Sequence, residues 1–380
     1  MKKKLLIVAN NISGGGAEKV FHTLMDNLNS SKYDITVYVV HEPDSLAGWP
    51  ETIKFKSIFR HRISKNTFLN TLLCKFINKI KLLIYNQFSP RVFYRLNIRG
   101  KYDTEIAFIE GYATRIVSGS NNSKSKKIAW CHIDFLVNHW SLISYRYKAE
   151  ETKAYSCFNS VMAVSENVKK SIDTMFGIQD RSKVIHNPID SDFIIKSSEK
   201  ELPEIPKQSR FRFVTVGRLV DQKGYDRLIP IIAKMRDEGY DTELWIIGDG
   251  GDKAKLARLI EEYNLKEEVI LHGFQSNPYS FFKYCDAFVC SSRSEGYSTA
   301  VTEALILGMP VVTTNCSGMD ELLGADSQYG IITANNENAL KNGMIKITNP
   351  EILNHYKQKA LERGSQFCLK SLMYDIEREL

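Results

Sequence analysis

Apolar and polar positions follow two rhythms along the chain. Short unbroken apolar runs read as strands buried on both faces, and apolar residues recurring every three or four positions read as helices with one buried stripe. The first run is Leu5–Ala9; a glycine turn, Ser13–Gly16, follows, and then a helix with Val20, Leu24 and Leu28 on one stripe. Further strands are predicted at Ile35–Val40, Ile53–Ile58, Thr104–Ile109, Lys127–Cys131 and Ser160–Val164, with helical patterns between most of them. Ser197–Ser209 has two prolines, many charges and few apolar residues, and reads as a linker. Beyond it the alternation restarts. Strands are predicted at Phe211–Val216, Glu243–Ile247, Val269–Leu271, Ala287–Cys290 and Pro310–Thr313, and helices over 224–238, 252–263, 277–284, 299–307 and 336–346. The tail from Ile352 is helical in pattern. Such repetition predicts two doubly wound α/β domains with Rossmann-like parallel sheets. The expected division is a first domain over 1–195, a linker over 196–209, a second domain over 210–355, and a helical segment over 356–380 that packs back on the first domain.

One helical pattern stands apart. Leu69, Leu72, Leu73, Phe76, Ile77, Ile80, Leu83 and Ile84 form a single stripe, with Lys75 and Lys79 on another face and Lys81 nearby. The expectation is that the stripe packs on the first sheet and the lysines face outward. Pro90 then introduces a second basic stretch with Phe93, Tyr94 and Leu96.

Charge sharpens this. The 380 residues carry 51 Lys or Arg and 44 Asp or Glu, a net of +7. Residues 52–102 contain 12 of the basic residues and no acidic one, so the remainder has 39 against 44, a net of −5. A basic face on a mildly acidic protein suits an anionic partner: a membrane surface or an acidic acceptor. With 43% apolar and 25% charged residues, the composition excludes a disordered or fibrous chain. Seven cysteines without a C-x-x-C pair argue against a disulfide scaffold and a zinc site. Leu5–Val8 is too short for a signal-peptide core, and no run approaches the ~18 apolar residues of a membrane span. The expected location is the cytoplasm, with peripheral attachment to the inner face of the membrane.

Doubly wound sheets bind ligands beyond the carboxyl ends of their strands. Unusual residues fall there repeatedly: Gly14–Gly16, His132, Gly217-Arg218, Gly248-Asp249-Gly250 and Ser291–Glu295. The two crevices are expected to face each other across one cleft. In Ser291–Ala304, Gly296 permits a sharp turn and Ser298 is a candidate N-cap, leaving open N–H groups at a helix start that attracts phosphate. Glu303 follows Glu295 by eight positions, within reach of a diol such as a ribose. In Val216–Arg227, Arg218 and Lys223 stand on the loop before a helix, a fork of donors and a compact cation suited to phosphate oxygens.

G-R-(x)4-K-G followed by E-x7-E resembles glycosyltransferase family 4, retaining enzymes of the GT-B fold. Gly14–Glu18, Asn187-Pro188-Ile189-Asp190, Gly248–Gly250, His272-Gly273-Phe274 and Ser317–Glu321 follow the family's order, so the resemblance spans essentially the whole chain. It implies that Arg218 and Lys223 hold the diphosphate of a nucleotide-sugar, Glu303 the ribose and Glu295 the donor sugar. It also implies that the N–H groups of Tyr297, Ser298 and Thr299 meet the distal phosphate and that Gly14, Gly15 and Gly16 approach the diphosphate. Gly217, Gly248, Phe274 and Gly296 belong to its nucleotide-sugar loops, and His132 resembles an active-site histidine. Where the family often has E-G-F-G, this chain has Glu295-Gly296-Tyr297-Ser298. No cofactor or metal is implied. Asp190-Ser191-Asp192 mimics a metal-binding D-x-D but reads as surface.

The expected function is transfer of a sugar, from UDP on family frequency alone, to a lipid-linked or saccharide acceptor of a bacterial-type surface polysaccharide, such as capsule or lipopolysaccharide. Lys75, Lys79 and Lys81 are the candidate membrane or acceptor face. A dinucleotide dehydrogenase is excluded because Lys19 occupies the third glycine of its fingerprint. A nucleic-acid-binding protein would leave the phosphate-ready loops without purpose. A sugar-nucleotide epimerase or a phosphorylase on the same fold stays open.

Overall fold

In the computed structural model, residues 2–12, 14–43, 49–60, 68–201 and 210–380 are described, those at 68–72 by backbone alone. The chain divides into two compact units, Met1–Pro188 with Ser371–Leu380, and Ile189–Lys370.

Unit 1 is built on a seven-stranded sheet of β1 Lys3–Ala9, β2 Tyr33–His41, β3 Lys54–Phe59, β4 Thr104–Phe108, β5 Lys126–Cys131, β6 Ser160–Ala163 and β7 Ser182–Val184, in the order β3-β2-β1-β4-β5-β6-β7. Every pairing is parallel. Leu5–Ala9 are fully buried, as a central strand covered on both faces must be. Strand order reverses between β1 and β4, so the crevice of this sheet lies at their carboxyl ends.

Unit 2 has a six-stranded parallel sheet: β8 Phe211–Val216, β9 Thr242–Ile247, β10 Val269–Gly273, β11 Ala287–Cys290, β12 Val311–Thr314 and β13 Ile331–Thr333, in the order β10-β9-β8-β11-β12-β13. Its strands alternate between two cores. Leu244, Ile246, Ala287 and Val289 pack with Leu228, Ile231 and Ile232 of the helix Tyr225–Asp237. Trp245, Ile247, Phe288 and Cys290 pack with Val301, Ala304 and Leu305 of the helix Thr299–Ile306. Order reverses between β8 and β11.

Four expectations change. The boundary between units falls after Pro188, not at 195, because Asp190 caps the helix Ser191–Ser198 (its carboxylate accepts from Phe193 N–H at 2.9 Å) and Ile194 packs with Tyr279 and Ile306 of unit 2. The D-x-D look-alike is thus a helix start. At the other end, the helix Pro350–Gly364 stays in unit 2, where Tyr356 and Ala360 join its cores. Only Ser371–Leu380 returns to unit 1, where Thr104 donates to the Leu380 carbonyl and Glu379 pairs with Lys183. The segment 277–284 forms a 3-10 helix, Pro278–Tyr284. Residues 202–209 of the expected linker lie outside the described residues. Among the described residues no helix is long and apolar enough to cross a membrane.

The largest change is in the helix Phe68–Gln87. Its inner side is Cys74, Tyr85, Asn78 and Lys81; of the apolar stripe, Leu73, Phe76, Ile80 and Leu83 are exposed, and Ile77 and Ile84 are half-buried. Asn78 bonds both backbone groups of Arg60. Lys81 donates to the Ile58 carbonyl, and burial, with the nearby Arg60 charge, lowers its pKa. Lys75 and Lys79 are exposed as expected, but Lys81 turns inward and does not belong to an outer cationic face.

Candidate functional site

In unit 2 the candidate residues collect where β8 and β11 end. β8 runs into Gly217 and Arg218, a 3-10 turn Asp221–Lys223, and Gly224 at φ +66°, which starts the helix Tyr225–Asp237. A Cβ on Gly224 would collide with the Ser291 carbonyl, so only glycine brings these two loops this close. Hydrogen bonds then clamp them. Ser291 Oγ donates to the Lys223 carbonyl at 2.8 Å, Gln222 Nε2 to the Ser294 carbonyl at 2.9 Å, and Arg227 to the Ser291 carbonyl. Arg293 binds both carboxylate oxygens of Asp226 at 2.9 Å.

Lys223 and Glu295 meet inside this clamp, with Nζ 2.6 Å from Oε1, and Ser292 Oγ donates to the same oxygen at 2.6 Å. Burial opposes the Lys223 charge, but the Glu295 carboxylate, helped by Tyr225 and Cys290, holds its pKa above the ordinary lysine value. Lys223 is therefore a fixed cation. Lys223, Glu295, Ser292, Tyr225 and Ser298 line a recess of about 200 Å3, open mouth included. Ser298 caps the helix Thr299–Ile306, accepting from Val301 N–H, so its hydroxyl serves the helix start.

The other candidates of unit 2 take different positions. Arg218 is exposed, with no side-chain partner among the described residues. Glu303 is buried within the same helix and accepts from Tyr279 Oη at 3.1 Å; burial and that carboxylate push the tyrosine's pKa well up. Gly217 and Gly248 lace the strand ends: Gly217 N–H donates to Ile247 and Gly248 N–H to Gly273. Phe274, just beyond, has its ring 71% exposed. Gly296 and Tyr297 lead into the helix start, and burial raises the Tyr297 pKa.

In unit 1, Gly14 has φ +99° and Gly15 is the N-cap of the helix Gly16–Asn27. His132 follows β5 and lies against Phe108 and Trp130. Its Nε2 is buried without a partner among the described residues, and burial lowers its pKa to about 3, so the ring is neutral. Sequence reasoning missed its neighbours. Glu110, 1% exposed, accepts from the His132 backbone N–H at 2.9 Å, and Asn10 at the end of β1 donates to the Glu110 carbonyl at 2.9 Å. Burial raises the Glu110 pKa to about 7, against hydrogen bonds from the His132 N–H and the Trp140 side chain. Ile109 and Gly111 on either side have positive φ, 80° and 84°. An acid followed by glycine directly after a buried strand was the available signal for Glu110. Ser292, two residues beyond β11, lies in the flagged loop Ser291–Glu295, but nothing in the sequence marked its bond to Glu295.

These loops offer a fixed cation, a helix start and a carboxylate that accepts hydroxyl protons, a set suited to a phosphorylated sugar. Residues 14–193 match the model for Glycosyltransferase Family 4, and 197–363 that for Glycosyl transferases group 1. The chain is 30% identical to the N-acetylgalactosamine-N,N'-diacetylbacillosaminyl-diphospho-undecaprenol 4-alpha-N-acetylgalactosaminyltransferase of Campylobacter jejuni, over 96% of each chain. It is 24% identical to the amylovoran biosynthesis glycosyltransferase AmsD of Erwinia amylovora, over 88% of this chain and 87% of that one. Among solved structures, Anabaena HepE in complex with UDP and glucose superposes with a TM-score of 0.74 at 18% identity, over 99% of this chain and 98% of that one.

Proposed function

The chain belongs to glycosyltransferase family 4 and is a GT-B glycosyltransferase related to bacterial polysaccharide and glycan transferases; from that premise we propose that it moves a sugar, with retention at the anomeric carbon, from a UDP-sugar to a lipid-linked saccharide acceptor. The observation that carries this reading is the Lys223 ammonium, held charged beside Glu295 at the foot of the helix Thr299–Ile306. UDP is supported by the HepE complex with UDP and glucose, and a lipid-diphosphate acceptor by the diphospho-undecaprenol in the Campylobacter relative's name.

As the donor's C1–O bond breaks, its electron pair leaves with the diphosphate. Lys223, Arg218 and the N–H groups of Tyr297 to Thr299 face that charge, and donors aimed at developing charge are where most of such a rate enhancement arises. Without donor, Lys223 is paired to Glu295. With donor, we assign Lys223 to a phosphate oxygen, which frees Glu295 for the sugar hydroxyls. Glu303, shared with Tyr279, takes the ribose, and the exposed Phe274 ring takes the base. On unit 1 we assign His132 to the donor sugar and the Gly14–Gly16 loop to the diphosphate. The acceptor lies at an anionic membrane surface on the cytoplasmic side. No metal takes part.

The test is turnover of a UDP-sugar panel with a lipid-diphosphate-linked saccharide. The expected product is heavier by one glycosyl unit, has the donor's anomeric configuration by NMR, and forms equally in chelator. Lys223→Ala should lower kcat/KM by about 10²–10³-fold. An epimerised sugar nucleotide without transfer, or full activity of Lys223→Ala, contradicts the reading.

A further inference from the structure

Glu303 has a partner that its own motif does not supply. Its carboxylate, 3% exposed on the helix Thr299–Ile306, accepts from Tyr279 Oη at 3.1 Å. Tyr279 comes from another segment, the 3-10 helix Pro278–Tyr284, which follows β10 and Phe274. That segment is tied down along its length. Gln275 Nε2 donates to the His272 carbonyl at 3.0 Å, Asn277 Nδ2 to the Ser197 carbonyl at 2.8 Å, and Ser280 Oγ to the Asn277 carbonyl at 3.1 Å. The Tyr279 ring is buried, stands edge-on to Phe193 with centroids 6.4 Å apart, and packs with Ile194 and Ile306. Its hydroxyl therefore reaches Glu303 from a fixed wall. Burial and the Glu303 charge push the phenol's pKa well up, so it stays a donor. A glutamate side chain loses much rotamer freedom when a ligand fixes it. Here Tyr279 has fixed it beforehand, and an acceptor already in place holds its ligand more tightly than a mobile one.

We propose that Tyr279, by locking Glu303, makes the site select ribonucleotide donors and refuse donors built on 2′-deoxyribose, such as dTDP-sugars. The proposal rests on the reading of Glu303 as the ribose-binding carboxylate. A buried carboxylate held at one oxygen cannot swing to a substitute donor when the 2′-hydroxyl is missing, so its charge stays one hydrogen bond short. Sites built to bond a hydroxyl reject the analogue that lacks it for this reason. A mobile Glu303 could turn toward water instead, and the penalty against deoxyribose would shrink. Tyr279 acts on the ribose through Glu303, as a positioning residue. The base, assigned to Phe274, and the ribose, selected through Tyr279, are then both read by the one segment that leaves β10.

The experiment is calorimetric titration of UDP and 2′-deoxy-UDP into the full chain, as wild type and as Tyr279→Phe, which removes one oxygen and keeps the ring against Phe193. Wild type should bind UDP at least about tenfold more tightly than 2′-deoxy-UDP. In Tyr279→Phe the ratio should fall to about threefold or less, through weaker binding of UDP, while 2′-deoxy-UDP binds as it does to wild type. Unchanged binding of the deoxynucleotide reports an intact fold, so a merely structural role for Tyr279 would not move the ratio. Glu303→Asp, which keeps the charge but withdraws it from Tyr279, should lower the ratio in the same way and tests the lock by a second route. The proposal is overturned if both variants keep the wild-type ratio, or if Tyr279→Phe loses both ligands equally while its circular dichroism is that of wild type. Wild type that binds both ligands equally overturns the proposal together with the ribose assignment. Wild type that binds neither overturns the donor reading itself.

Discussion

Glu110 and His132 are neighbours whose protonation runs in opposite senses on folding. Glu110 has its pKa raised from 4.5 to about 7, so its contribution to stability is full below pH 4.5 and is lost as pH rises to 7. His132 has its pKa lowered from 6.5 to about 3, so its contribution is full above 6.5 and is lost as pH falls toward 3. The melting temperature of Glu110→Gln relative to wild type should therefore climb between pH 4.5 and 7, a change on the order of 3 kcal/mol from the shift itself. A difference that stays flat with pH would mean that the carboxyl ionises normally. Sequence alone made Lys223, Glu295 and Ser298 legible, because each stands in a loop that follows a strand. It could not show that Lys223 and Glu295 pair, or that Ser292 and Tyr279 hold the two glutamates, since those contacts depend on how loops distant in sequence pack.

At the scale of elements, close loop packing makes backbone positions decisive. Gly248 has φ +147°, and a Cβ there would run into the Gly217 carbonyl. Gly248→Ala should destabilise unit 2 by ~3 kcal/mol in urea unfolding, since strain and collision act together. Wild-type stability in that variant would show that the loops after β8 and β9 are free to move apart. Helix periodicity announced the helix Phe68–Gln87 correctly, yet it did not show that Leu73, Phe76, Ile80 and Leu83 stay exposed while only Ile77 and Ile84 of the described stripe are half-buried. A periodic stripe shows that one face is apolar, not what covers it, and here Tyr85, Asn78 and Lys81 make the inward contacts. β7 and β13 escaped the pattern reading because three residues at a sheet edge are too short to display a period.

Over the whole molecule, two parallel sheets with reversed strand order at β1–β4 and β8–β11 account for why the unusual residues fall after strands. The repeated strand–helix rhythm made that architecture legible. The point where the chain passes from one unit to the other was not, because the charged composition of 197–201 resembles a linker whereas Ile194 and Ser197 are buried in unit 2. The net charge of +7 also resolves by location, with the cations of 52–102 belonging to unit 1 and Arg218 and Lys223, the cations proposed to hold the donor, to unit 2. The central claim is that unit 2 holds a nucleoside diphosphate through those cations. Calorimetric titration of UDP into wild type, Arg218→Ala and Lys223→Ala tests it most directly. Charge-assisted hydrogen bonds contribute roughly 1.5–3 kcal/mol each, so saturable binding by wild type should weaken about 10–100-fold in each variant. Absence of saturable binding by wild type, or equal affinity in all three proteins, would contradict the account.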